Sequence, residues 1–246
     1  MARFVEDLVT VMPLLIGNDG RDRTTVGMPF DDPRDVKLRE LRVAFYTDNG
    51  IAAADGEVSR VVRAAANALA PEVGAMDEAR PRCLENAYDL EMKLLGADGG
   101  DGLWQYLEEL GSNEVHPLLR GWLDKLKAYR TDLAGFHRYW DEWDRYRAEM
   151  FEFLRDYDAI LCPAYIHAAL PHGTSTQDEN FRGFSHTMAY NLTGWPAAVV
   201  RCGETEGGLP IAVQVVARPW REDVALSVAG VLEGMFGGWK APTAVS

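Results

Sequence analysis

Nucleophilic catalysis needs a nucleophile with a base beside it, so hydroxyl, thiol and imidazole side chains are the first residues to weigh. The serines are Ser59, Ser112, Ser175, Ser185, Ser227 and Ser246, and none lies in a G-x-S-x-G elbow, an S-x-x-K motif or a Gly/Ser-rich turn. Ser185 and His186 are adjacent, but helix neighbours point about 100° apart and do not face each other. Their expected role is solvated or capping. Cys162 followed by His167 and His172 invites a thiol–imidazole or metal reading. A strand end running into a Pro/Gly-rich loop sets no ligand geometry, however, and no carboxylate recurs at ligand spacing. These histidines read as loop residues in solvent, and neither a metal nor another cofactor is expected. The glycine-rich run at 96–102 follows a helical pattern and is acidic, unlike a phosphate cradle. Taken motif by motif, the chain offers no reaction.

Composition narrows the partners. The 246 residues carry 38 acidic and 25 basic side chains, a formal charge of -13. Such a surface repels nucleic acid and anionic membranes, so neither is an expected partner. A content of 47% hydrophobic and 26% charged residues is that of a globular chain with a sizeable core. No apolar run approaches the roughly 20 residues of a membrane span, and the first residues lack a signal peptide's basic start and apolar centre. A cytoplasmic location is expected. Cys83, Cys162 and Cys202 are odd in number and far apart, which points to reduced, buried thiols.

The elements that would position any site follow from periodicity. Phe4, Leu8, Val11, Met12 and Leu15 predict an amphipathic helix that Pro13 bends or shortens and the glycines at 17–20 stop. A Pro/Asp-rich stretch covers 21–35. Strand-like 41–46, a helix carrying Val58, Val61, Val62, Ala65 and Leu69, and a returning extended piece at 73–76 predict a parallel βαβ unit. Residues 84–157 read as almost wholly helical. Within them Trp122, Leu126, Tyr129, Leu133, Phe136, Trp140, Trp143, Met150 and Leu154 form one periodic stretch that Gly135 weakens without breaking. These aromatics read as core, the alternative being an apolar substrate pocket. A buried strand at 159–162, a loop at 164–180, a helix at 181–192, a hairpin of 197–202 with 209–216 and a final helix bearing Val224, Val228, Val231, Leu232 and Met235 complete the chain.

Read in order, these segments resemble the amidase signature family of serine amidohydrolases. Met1-Ala-Arg-Phe-Val-Glu-Asp-Leu8 is similar to the family's helix after a Gly-Pro-Met-Ala-Arg turn, and Asp19-Gly-Arg-Asp22 to its Asp-Gly-x-Asp. Leu41-Arg-Val-Ala-Phe-Tyr46 and Tyr157-Asp-Ala-Ile-Leu-Cys-Pro163 resemble two of its strands. The most specific segments are Tyr190-Asn-Leu-Thr-Gly-Trp-Pro-Ala197 and Gly208-Leu-Pro-Ile-Ala-Val-Gln-Val-Val-Ala-Arg-Pro219. They resemble Asn-x-x-Gly-x-Pro and Gly-Leu-Pro-x-Gly-x-Gln-x-x-Gly-x-Pro, with Ala212 and Ala217 in place of two glycines.

The resemblance implies an α/β fold, the C-terminal part of the family's mixed sheet covered by helices on both faces. It forms a single partial domain: a helix plus βα unit at 1–80, a variable helical region at 81–157, and a strand-loop-helix-hairpin-helix segment at 158–246. It implies amide hydrolysis by a nucleophilic Ser, a bridging Ser in a cis peptide and a neutral Lys base, all upstream of this chain. Lys37, Lys93, Lys125, Lys127 and Lys240 do not stand in the family's catalytic context. No catalytic residue is therefore assigned, and the chain is expected to be inactive alone. By the same resemblance Tyr165, Ile166, Thr187 and Asn191 would bind the substrate near its acyl group. Phe184, where the tRNA-amidotransferase branch tends to be acidic, leaves an apolar or aromatic amide as the expected substrate. Expected partners are that small-molecule amide and either a complementary N-terminal amidase half or a second copy. A non-catalytic binding module is the alternative.

Overall fold

A computed structural model describes residues 1–112 and 114–242. Ser246, one of the serines considered above, lies outside them. The first helix, α1 (Val5–Leu15), carries Pro13 and ends two residues after it. Its packed face is Val5 with half-buried Leu8, Val9 and Met12, whereas Phe4, Val11 and Leu15 are exposed. That corrects the expected face. The Val5 N–H donates to both carboxylate oxygens of Glu233 at 3.1 Å, and this anchor rotates Val5 rather than Phe4 inward.

The βαβ unit forms as expected from β1 (Arg42–Phe45), α2 (Gly56–Leu69) and β2 (Ala75–Glu78), with the two strands parallel. Asp55 caps α2 by accepting from the Val58 N–H at 2.8 Å, and Val58, Val61, Val62, Ala65, Ala66 and Leu69 make one buried stripe.

The helical region is divided more finely than its periodicity suggests. It comprises α3 (Ala87–Gly96), α4 (Asp101–Glu109), α5 (Pro117–Leu126) and α6 (Leu133–Phe153). The single aromatic stretch is thus broken at 130–132. Asp132 accepts from the Gly135 N–H at 2.7 Å and starts a new helix, while the Thr131 N–H is held by the Ala97 carbonyl at 3.0 Å. The buried positions of α6 are Gly135, Tyr146 and Met150, and Leu133 and Trp140 point to solvent. Apolar spacing alone does not register a cap that restarts the helical phase.

The central strand β3 (Ala159–Pro163) is buried at every residue, which explains its unbroken apolar run. After a long loop come α7 (Asp178–Arg182) and α8 (Ser185–Asn191), two short helices in place of the single one that the sequence predicts. The turn between them is tightened by Gly183 N–H to Asn180 and Phe184 N–H to Phe181 bonds of 3.1 and 3.2 Å. A Cβ at Gly183 would stand 2.7 Å from both Ile166 and Tyr165, so the close approach of this turn to the loop requires glycine. The expected hairpin follows, β4 (Ala197–Glu204) and β5 (Pro210–Ala217), and then the helix α9 (Glu222–Phe236).

The sheet runs β2-β1-β3-β5-β4, parallel across β2, β1 and β3 and antiparallel across β3, β5 and β4. It is a mixed α/β sheet, as the resemblance implies. Val43, Leu161, Val200, Val213 and Val215 face α2, α9 and α1. Ile160, Cys162 and Val216 face Leu90, Tyr146, Met150 and Tyr190 of α3, α6 and α8. At the bulge of β4, a Cβ on Gly203 would meet Val61 at 2.6 Å, so glycine lets α2 lie against that strand. Among the described residues no strand follows β4 in the sheet, and Val199 on its outer face is 55% exposed.

Leu161 is fully buried between β1 and β5. Leu161→Ala should lower the stability measured by urea titration by about 3 kcal/mol, and Val199→Thr by about 0.5 kcal/mol or less.

Candidate functional site

Parallel β1 and β3 end on the same side of the sheet, where open α/β folds receive ligands. The loop leaving β1 is joined to α8, and β3 to β5 and α8, by a buried polar cluster. Asn49, fully buried, accepts at Oδ1 from the Ile51 and Ala52 N–H groups at 3.0 Å and donates from Nδ2 to Ser185 Oγ at 2.8 Å. His186 Nε2–H donates to the Ala52 carbonyl at 2.8 Å, and its ring stacks on Tyr46 at 5.8 Å. The Tyr46 and Tyr190 hydroxyls lie 2.9 Å apart. Gln214, within apolar β5, donates from Nε2 to both Cys162 Sγ and the His186 carbonyl at 3.2 Å.

Ser185 and His186 are therefore neither solvated nor capping: both are fully buried. They also do not pair with each other, as their adjacency requires. Burial pushes the His186 imidazole down to about 4, so it is neutral at physiological pH. Among the described residues its Nδ1 finds no hydrogen-bond partner. Burial also raises the Cys83 and Cys202 thiols to about 12 and the Cys162 thiol above its ordinary value, which keeps all three protonated and unreactive.

Beside this platform lies an open cleft of about 400 Å³ bounded by Val58, Tyr165, Leu170, Phe184 and Ile211, with His167 and Ser175 as polar members. The Tyr165 and Phe184 rings lie 4.8 Å apart, and the Tyr165 hydroxyl is occupied by the Asn180 carbonyl at 2.7 Å. Of the residues expected near substrate, Tyr165 lines the cleft and Ile166 is buried behind it. Thr187 and Asn191 are not among the lining residues: the Thr187 hydroxyl donates to the Phe184 carbonyl, and Asn191 is exposed at the end of α8. Sequence reasoning misses Asn49, whose signal is an Asn-Gly turn after a strand, and it quotes Gln214 only within the family-like Gly-Leu-Pro segment without assigning it a role.

His167 and His172 are both exposed, as expected of loop residues, and His167 is in addition held to Asp55 with Nδ1 and Oδ2 3.0 Å apart. The 96–102 loop is closed by Asp98, which accepts from the Gly100 and Gly102 N–H groups at 2.7 and 2.8 Å and leaves them no phosphate to bind. Every lysine pairs with a carboxylate: Lys37 with Glu40, Lys93 with Asp89 and Glu142, Lys125 with Asp178, Lys127 with Asp124, Lys240 with Glu204. None of the five is hydrogen-bonded to a serine hydroxyl among the described residues, the arrangement a lysine base needs. Among the described residues no hydrogen bond joins a serine hydroxyl to a histidine, and no group of three or more His, Cys, Asp or Glu side chains could hold a metal ion. No helix among them is long and apolar enough to cross a membrane.

The amidase family model matches residues 1–226. Fatty-acid amide hydrolase 2 of Homo sapiens is 25% identical over 98% of this chain and 48% of its own length. A glutamyl-tRNA(Gln) amidotransferase subunit of Chloroflexus aggregans is 24% identical over 93% of this chain and 52% of its own. The solved structure of 6-aminohexanoate cyclic dimer hydrolase superposes with a TM-score of 0.77 at 22% identity, covering 96% of this chain and 54% of that one. The chain spans about half the length of the curated relatives it matches.

Burial of a neutral His186 makes stability depend on pH with a definite sign. Between pH 6.5 and about 4 the unfolded chain binds a proton that the folded chain does not. Stability should therefore fall as pH drops through that window, by about 3 kcal/mol in full. Urea titrations at pH 7 and pH 4.5 should show this loss in the native chain and a smaller one in His186→Gln.

Proposed function

The chain belongs to the amidase family, and from that premise we propose that it is the acyl-binding half of a serine hydrolase acting on a carboxylic amide. The products are a carboxylate and ammonia or an amine. The nucleophilic serine, the bridging serine and the neutral lysine are supplied by residues that are not among these 246, and the chain alone is inactive. The observation that carries this reading is a contrast. An apolar cleft with aromatic walls stands at the carboxyl end of β3, beside the start of α2, while all five lysines are ion-paired and no described serine is bonded to a histidine or lysine base.

The cleft supports an amide with an apolar or aromatic acyl group as substrate, entering against Tyr165, with Ile166 behind that ring and Thr187 and Asn191 shaping the adjoining α8. The exposed outer edge of β4 supports docking of a complementary half, whether covalently continuous or a second chain. The similarity to a protein named as one subunit of an amidotransferase also favours a multi-chain arrangement. The three buried, unpaired cysteines support a reducing compartment such as the cytoplasm.

Hydrolysis of hexanoyl p-nitroanilide tests the proposal. The purified chain should release no p-nitroaniline above buffer, and co-expression with the adjoining upstream coding segment should raise the rate about a thousandfold or more. Hydrolysis by the chain alone that is abolished by a single serine substitution, or a soluble two-part complex without activity, would contradict it. The latter outcome would favour a non-catalytic binding module.

A further inference from the structure

The cleft contains one polar side chain whose orientation is fixed from behind. Asp55 makes three bonds at once: its N–H donates to the Ile166 carbonyl at 2.9 Å, Oδ1 accepts from the Val58 N–H at 2.8 Å, and Oδ2 lies 3.0 Å from His167 Nδ1. With Oδ1 and Oδ2 both accepting, the proton between Asp55 and His167 resides on Nδ1. In the neutral imidazole Nε2 then carries only a lone pair. The backbone bond to Ile166 ties the same loop to the start of α2, and the Tyr165 ring meets the His167 ring edge-on at 6.2 Å. The rest of the lining is apolar apart from Tyr165, whose hydroxyl is already bonded, and Ser175. A serine hydroxyl both donates and accepts, so it does not discriminate between donor and acceptor ligands. His167 does.

We propose that His167, oriented by Asp55, is a specificity-determining residue of the cleft: it selects amides whose apolar or aromatic acyl group ends in a hydrogen-bond donor, which bonds to Nε2. The proposal rests on the reading that the acyl group enters this cleft and adds a polar requirement to it. An acceptor-only group placed against that lone pair forms no hydrogen bond, whereas a donor does, and this difference is the selection.

Calorimetric titration of the full chain with 4-aminophenylacetamide and 4-methoxyphenylacetamide tests it. The two probes share the amide and the ring and differ in ending with an N–H donor or an oxygen acceptor. The native chain should bind the amino compound about fivefold more tightly, the effect of one net hydrogen bond. His167→Leu should bind the two alike. Asp55→Asn keeps a helix-capping oxygen, but its carboxamide can donate to Nδ1 and leave the imidazole proton on Nε2. This variant should reverse the preference. An unchanged preference in His167→Leu or in Asp55→Asn, equal affinities in the native chain, or no saturable binding of either probe would overturn the proposal. Binding needs no nucleophile, so failed hydrolysis after co-expression leaves this result intact, and a lost preference leaves the hydrolytic reading standing.

Discussion

Taking two amides, an imidazole, a hydroxyl and two phenols out of water together costs more than most single contacts return, unless each finds a partner. At the carboxyl ends of β1 and β3 that condition shapes the molecule. Asn49 meets it by bonding two backbone N–H groups of its own loop and the hydroxyl of Ser185 on α8. Gln214 meets it by bridging β3 and α8 through Cys162 and the His186 carbonyl. Apolar packing tolerates sliding, but these bonds have one geometry, so β1, β3, β5 and α8 are held in a single arrangement. By comparison, the many ion pairs on the surface are exposed and each is worth about 1 kcal/mol or less. Among the described residues the cluster is not fully satisfied: Nδ1 of His186 and Nε1 of Trp195 are buried and find no partner there. Its acid sensitivity therefore centres on His186, where adding a proton would create an uncompensated buried charge.

The platform passes its rigidity to the cleft through Asp55. This residue lies a few positions beyond Asn49 on the same loop, caps α2, and grips the 165–167 segment by backbone and side chain together. Tyr165 and His167 thus stand on a loop that is fastened at both of its neighbours. A cleft wall that does not have to be ordered on binding spends less of the ligand's free energy on entropy. What the fold leaves open is equally informative. Among the described residues β4 is the last strand of the sheet, and long unpaired edges are usually covered in stable assemblies.

Much of this architecture is legible in the sequence, because the strands differ in burial and the burial leaves a pattern. The unbroken apolar run of β3 marks a strand covered on both faces, and the Gly-containing loop between β4 and β5 marks a hairpin. The breaks within the helical segments are not legible in the same way. Asp132 restarts a helix by accepting from the Gly135 N–H, and Gly183 separates two others through its close approach to Ile166 and Tyr165, which apolar periodicity does not encode. The site is half visible. Tyr165 follows from family resemblance, but Asp55 and Asn49 do not, since their roles depend on partners more than 100 residues away in the chain. Ser185 and His186 show the converse: adjacent polar residues that look surface-bound are buried because Asn49 and Ala52 supply their bonds.

The Asn49-centred cluster, rather than the surrounding apolar packing, immobilises the loop that leads to the cleft. Native-state hydrogen exchange at the Ile51 and Ala52 amides reads this directly, because both donate to Asn49 Oδ1 at 3.0 Å. They should exchange only by global unfolding, with the same opening free energy as Leu161 in the central strand. Exchange at rates within about tenfold of an unprotected loop amide, with Leu161 still protected, would contradict that role for Asn49.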